Sequence, residues 1–324
     1  MSKSDKTFWE RAQTTDRRVL YAILIVCTVI SLFFKTEIPV NPDESSKDLY
    51  IALMKLDPEK PVFIESDWTN STRGESAGHF EALMRILMVR DIKFVIYSVA
   101  DPQAPQVARD ALMRIQQERE KQGLKVYEPW VDYLDIGYFP NAEGHVQAIG
   151  NNIRTAWGGR KERDNQGRDR NIFESPVLSG VKVVGDASIL IVCSASATVD
   201  IAVERLYGKV PLGFMVTGVM GPNALPYYQS KQIVGMGVGL KGVYDVEYMM
   251  QYGVNYKGED GAAKPKVEYK PDETIVIPPV AVGTTFDRGA RYFLPLHVAL
   301  TLMILAIIFG NVAMFASRKK KEAK

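Results

Sequence analysis

Two stretches of this chain collect side chains that could do chemistry. The first is Glu65-Ser66-Asp67-Trp68-Thr69-Asn70-Ser71-Thr72-Arg73-Gly74-Glu75-Ser76-Ala77-Gly78-His79. It follows the apolar run Pro61-Val62-Phe63-Ile64, which reads as a buried strand ending near Ile64. In parallel α/β sheets ligands bind beyond the carboxyl ends of the strands, so this loop is the first candidate site. Asp67, Thr69, Arg73 and His79 are its candidate ligand-binding residues. A guanidinium at Arg73 would orient an anionic or carbonyl group, and the N–H groups opening the next helix would add positive potential. The plainer alternative is that Ser76 caps that helix and the rest is solvated surface.

The second stretch, Cys193-Ser194-Ala195-Ser196-Ala197-Thr198, joins an apolar strand to a helical pattern. Small residues here would let backbone N–H groups approach an anion, with Ser194 and Ser196 supplying hydroxyls. The stretch lacks the glycine spacing of a dinucleotide loop and the lysine of a phosphate-binding loop, so a tight turn with helix capping is the competing reading. A third segment offers surface rather than chemistry. Gly235, Gly237 and Gly239 are spaced by two and permit close approach of another backbone. Tyr244 and Tyr248 follow one helical turn apart, continued by Tyr252. We read these as surfaces for a partner, with core packing as the alternative, because tyrosine supplies contact area at low entropy cost.

Complete catalytic sets are missing from the sequence. Three histidines, His79, His145 and His297, stand far apart. Neither HExxH, CxxC nor a clustered acidic loop is present, so no metal is expected. No GxSxG elbow appears, and Cys193 has no assignable histidine to activate it. The reading therefore leans away from an enzyme, expects no cofactor, and leaves a hydrolase as the least favoured class.

The elements that must position these residues follow from apolar patterning. Strand-like runs at 61–64, 92–99, within 125–137, 188–193, 212–220 and 274–278 alternate with helical patterns at 48–56, 78–90, 103–122, 143–157 and 197–207. The strands are continuous apolar runs rather than alternating ones. That combination predicts a mostly parallel, doubly wound α/β sheet covered on both faces. Residues 158–171 (GGRKERDNQGRDRN) are polar and glycine-rich, an exposed loop or a boundary between two lobes.

The ends of the chain address a membrane. Residues 19–34 and 292–317 carry no Asp, Glu, Lys or Arg. The second is long enough to span a bilayer; the first is slightly short for a hydrocarbon core of roughly 30 Å, which takes about 20 residues. Arg17, Arg18 and Lys35 could extend the first by snorkelling, and the bulky exit sequence Ser31–Lys35 argues against a cleaved leader. Residues 1–18 carry five basic and three acidic side chains, and residues 318–324 five and one. The chain as a whole nets +2, which leaves the middle at −4. Basic flanks predict a two-pass protein of the cell membrane. Residues 1–18 and 318–324 form cytoplasmic tails, 19–34 and 292–317 the two transmembrane helices, and 35–291 one extracytoplasmic domain. An acidic domain outside the cell disfavours nucleic acid. The expected partners are the lipid bilayer and a membrane protein or a second copy of the chain. The leading expectation is a structural or accessory subunit of a membrane complex; the other is a ligand-binding or sensing module for a small polar or anionic ligand.

Overall fold

The computed structural model describes residues 16–34, 41–255, 275–280 and 288–322. The first fifteen residues, most of the polar segment after Asn255 and the last two residues lie outside them. The chain divides into two compact units, Pro39–Gly289 and the pair of ends Met1–Ile38 with Ala290–Lys324.

The end unit contains α1 (Arg17–Ser31) and all but the first two residues of α9 (Arg288–Glu322). Within α9, Arg291–Ala316 is long and apolar enough to cross a membrane by length and composition. Helix α1 has 15 residues, a length of about 22 Å at 1.5 Å per residue, and does not reach a full span on its own. Leu20 and Leu24 of α1 and Leu302, Ala306 and Phe309 of α9 line one apolar groove.

The other unit is built on a six-stranded parallel sheet. Its strands are β1 (Val62–Asp67), β2 (Phe94–Ser98), β3 (Tyr133–Tyr138), β6 (Ile189–Ser194), β7 (Leu212–Val216) and β8 (Gly235–Val238), in the order β3-β2-β1-β6-β7-β8. All pairings within it are parallel. Helix α2 (Glu44–Met54) precedes the sheet. The crossovers are α3 (Arg73–Val89), α4 (Ala104–Lys121), α5 (Ala142–Trp157), α6 (Thr198–Leu206) and α7 (Gly221–Gln229), and α8 (Gly239–Tyr252) follows β8. Every residue of β1, β2, β6 and β7 is buried, which is why β2, β6, β7 and the first half of β1 read as largely apolar runs. One core joins Phe63, Tyr97, Leu190, Val192 and Phe214 to Val146, Ile149 and Trp157 of α5 and Val199 and Val203 of α6. On the opposite face α3 packs against α4, α8 and the strands β6 and β7.

Four details differ from the sequence reading. Strand β1 does not end at Ile64 but continues through Glu65, Ser66 and Asp67, all buried. The segment 158–171 holds a small antiparallel hairpin, β4 (Lys161–Arg163) with β5 (Asp169–Asn171), within the Pro39–Gly289 unit. Helix α7 contains Pro222 in its first turn and Pro226 inside, residues that disguise it as a loop. The described part of the run at 274–278, from Ile275 on, makes an isolated bridge between Ile277 and Val254, with Val254 N–H donating to Ile277 O at 2.8 Å and the reverse at 2.9 Å.

Helix α2 lies so close to β8 that glycine is required there. A Cβ on Gly235 would stand 2.3 Å from Leu49 N and 2.8 Å from Ser45 O, both backbone atoms. Neither can swing aside, so Gly235→Ala should lower the unfolding free energy by roughly 1–3 kcal/mol, the usual cost of overpacking. Chemical denaturation of the full chain in detergent measures it, and wild-type stability would show that α2 does not press on β8.

Candidate functional site

The chain runs from β1 outward to β3, then returns to place β6 on the other side of β1. Counted within the sheet this is the 3-2-1-4-5-6 order, and its switch point lies between β1 and β6, where doubly wound folds bind their ligands. The last residues of these two strands and the starts of α3 and α6 therefore define the candidate site.

Strand alternation puts Glu65 and Asp67 on one face and Ser66 on the other. Asp67 Oδ1 accepts three hydrogen bonds, from Ser98 Oγ at 2.8 Å, Val99 N at 2.8 Å and Ala100 N at 3.1 Å. It thereby fixes the first turn of the β2–α4 connection. Glu65 Oε2 accepts from the Tyr97 hydroxyl at 3.0 Å. Glu65 is fully buried, and its carboxyl is held well above the ordinary carboxylate range, first by burial and then by the charge of Asp67. Burial also pushes the Tyr97 phenol up, with the charge of Glu65 adding to it.

Across the switch point Asp67 pairs in register with Ser194. Ser194 Oγ lies 2.9 Å from Thr198 Oγ1 and 3.1 Å from Ser196 Oγ, and accepts from Ser196 N–H at 3.0 Å. Three hydroxyls thus meet at the start of α6. Ala195 N–H donates to Asp67 O at 3.3 Å, which ties the two strand ends together. On the β1 side, Thr69 Oγ1 is 2.8 Å from Ser71 Oγ, and Thr69 N–H donates to Thr72 Oγ1 at 3.3 Å. Arg73 is exposed in the first turn of α3, with no ion pair to a described residue. Glu75 Oε2 accepts from Gly218 N at 2.7 Å and joins α3 to the turn after β7.

His79 does not join this group. It points from α3 toward the glycines of β8 and α8. A Cβ on Gly237 or on Gly242 would stand 3.1 Å from its Cε1 atom. Both ring nitrogens are buried and lack a well-formed hydrogen bond, although backbone of Gly239 and Val216 faces the ring. Burial pushes the imidazole down to about 4. Asp67, Arg73 and His79 consequently occupy three environments: a buried turn, an exposed helix start and an apolar interior. Ser76, the expected cap, lies inside α3 because the helix begins at Arg73.

The residues read as partner surfaces sit within the fold. Gly235 and Gly237 are buried, Gly239 starts α8 at φ +57° against Gly218, and Tyr244 and Tyr248 are buried on α8 with ring centroids 6.0 Å apart. Cys193 is buried 4.0 Å from Met215 Sδ, its thiol driven up by burial and secondarily by Asp67, which keeps it from acting as a thiolate nucleophile. The sequence reading passed over Glu65, Tyr97 and Thr198 as members of the site. The signal for Glu65 was the Glu-x-Asp spacing, which places both acids on one face once the strand is carried to Asp67. Among the described residues no group of three or more His, Cys, Asp and Glu side chains could hold a metal ion. What the site offers is hydroxyl and backbone hydrogen bonding at the switch point, with one exposed guanidinium on the same sheet edge.

His79 is neutral when folded and titrates ordinarily when unfolded. Its contribution to stability is fully present above about pH 6.5 and is lost as pH falls toward about 4. The unfolding free-energy difference between wild type and His79→Gln should therefore shift toward the variant by up to about 1.4 kcal/mol per pH unit across that window. Denaturant titrations at several pH values read this directly, and a constant difference would mean His79 is accessible to protons in the folded chain.

No protein-family model, curated protein or solved structure matches this chain.

Proposed function

We propose that this chain is a membrane-anchored α/β module that receives a small polar or anionic ligand at the β1–β6 switch point and serves a membrane assembly as its ligand-responsive accessory subunit. The observation carrying this reading is the convergence of Ser194, Ser196 and Thr198 hydroxyls at the start of α6, on the sheet edge where α3 presents the exposed Arg73. Hydroxyls and helix N–H groups would orient the ligand, and Arg73 would supply charge. A purely structural subunit is the second reading. It is favoured by the interior placement of His79, Cys193 and Glu65, which withdraws these three side chains from the rim of the site.

The same proposal places both termini in the cytoplasm and residues 36–290 outside. The apolar Arg291–Ala316 helix, the basic tails and the acidic middle support it. A Gln166→Cys variant tests this, because Gln166 is exposed in the β4–β5 hairpin. A membrane-impermeant maleimide should label it in intact cells; labelling only after permeabilisation would reverse the orientation.

The ligand reading is tested with the full chain in mild detergent by calorimetric titration against a panel of phosphate, carboxylates, nucleotides and sugars. One class should bind, and Arg73→Ala should weaken that binding by roughly tenfold or more, as expected for losing a charge-assisted pair worth about 1.5–3 kcal/mol. The melting temperature should stay unchanged, since the side chain is exposed. Absence of binding by every class, together with a larger native assembly, would transfer the conclusion to the structural subunit.

A further inference from the structure

The mouth of the sheet contains a pair of acids whose hydrogen bonds do not close as carboxylates. Glu65 and Asp67 project from the same face of β1, two residues apart, and each carboxyl has one buried oxygen without a partner. Glu65 Oε2 takes the Tyr97 hydroxyl, and Asp67 Oδ1 takes Ser98, Val99 and Ala100. The two remaining oxygens, Glu65 Oε1 and Asp67 Oδ2, are buried and have no donor. Two ionised carboxylates there would each leave one desolvated oxygen without a donor, and would repel one another.

The surroundings supply no countercharge. From β2 come the neutral Tyr97 phenol and the Ser98 hydroxyl. From β6 come apolar Val192 and the hydroxyl of Ser194 on the same face, and the un-ionised Cys193 thiol on the other. From α5 come Trp157 and His145, both in ring contact with Tyr97, and the imidazole of His145 is pushed down to about 4 by burial and by Arg160. Arg160 itself is directed to Tyr138 O and over the Phe139 ring. Among the described residues, no lysine or arginine acts on Glu65.

We infer that Glu65 holds a proton in the folded chain at neutral pH and donates it from Oε1 to Asp67 Oδ2, so that the pair carries one negative charge and latches the β2–α4 turn, and that removing this proton at alkaline pH releases the turn. Three donors already fix Asp67 as the acceptor, so the shared proton resides on Glu65. That proton supplies the donor both orphan oxygens lack. Its loss places a second negative charge beside Asp67, which must move or draw in water, and its grip on Val99 and Ala100 then fails. The folded chain keeps a proton that the unfolded chain releases above the ordinary carboxylate range. Stability from the pair is therefore greatest at low pH and is lost as pH rises toward the folded value. This device does not depend on the ligand reading of the site.

Glu65→Gln is the informative variant, because its amide N–H replaces the proton and its carbonyl still accepts from Tyr97. In the full chain in detergent, hydrogen-exchange mass spectrometry of the Tyr97–Pro102 segment from pH 6 to 10 should show protection factors that fall by on the order of tenfold or more at alkaline pH in wild type, where a tenfold change corresponds to one pH unit of linkage. In Glu65→Gln they should stay constant. Infrared difference spectra at neutral pH should show a protonated-carboxyl band that Glu65→Gln removes. If Glu65→Gln fails to fold, Asp67→Asn replaces it: the asparagine N–H supplies the missing donor and removes the neighbouring charge while Glu65 stays buried, so the band should persist but shift in frequency. A wild-type spectrum without the band, or a band untouched by these variants, overturns the shared proton. Identical exchange profiles in wild type and Glu65→Gln overturn the latch.

Discussion

Strand β1 is buried on both faces and hydrogen-bonded along both edges, and the rest of the fold is arranged around that enclosure. A strand so placed has no access to water along its length, so any polar atom it carries is costly unless it finds a partner inside the protein. The apolar half, Val62 to Ile64, satisfies this with its ladder alone. The polar half, Glu65 to Asp67, requires its neighbours to bring hydroxyls and amide donors: Tyr97 and Ser98 from β2, the Val99 and Ala100 amides from the following turn, and the Ala195 amide just past the end of β6. The chemistry of the switch point is thus a by-product of enclosing an acidic strand end.

The arrangement separates two kinds of polar residue that lie close together in sequence. Those at the end of β1 are sequestered and bind the fold to itself. Those just beyond it, from Thr69 to Arg73, open α3 at the rim. Only the second kind is free to meet a ligand without dismantling the sheet. The same division holds on the β6 side, where Cys193 and Ser194 are interior and Ser196 is half-buried.

Much of the architecture was legible because burial on both faces leaves a strong mark: SILIVC, IKFVIYSV and LGFMV are runs that only a covered strand tolerates. The illegible parts have physical reasons. Charged side chains ordinarily end an apolar strand, so Glu65 and Asp67 hid the second half of β1. Pro222 and Pro226 hid α7, since the pattern of a helix that tolerates proline is that of a loop. The glycines at 235–242 did announce close approach, but a sequence does not say to what. Within the chain they receive Leu49 and His79, and those contacts are made across 186 and 158 residues respectively. Arg73 and His79 are six residues apart on one helix, and only the sheet's geometry decides that one faces solvent and the other the interior.

The placement of α2 over β8 has a consequence for how the chain comes to be folded. The first helix of the unit is held by the last strand of the sheet, and β1 waits for β6 more than a hundred residues later to cover its second edge. During synthesis, β1, β2 and β3 emerge with that edge open, and α2 has no surface on which to settle. High sequence separation of this kind slows folding and prolongs the life of partly formed, aggregation-prone species. The chain therefore depends on its later strands to shield what its first third exposes, and a truncation anywhere before β8 leaves both α2 and an open sheet edge without cover.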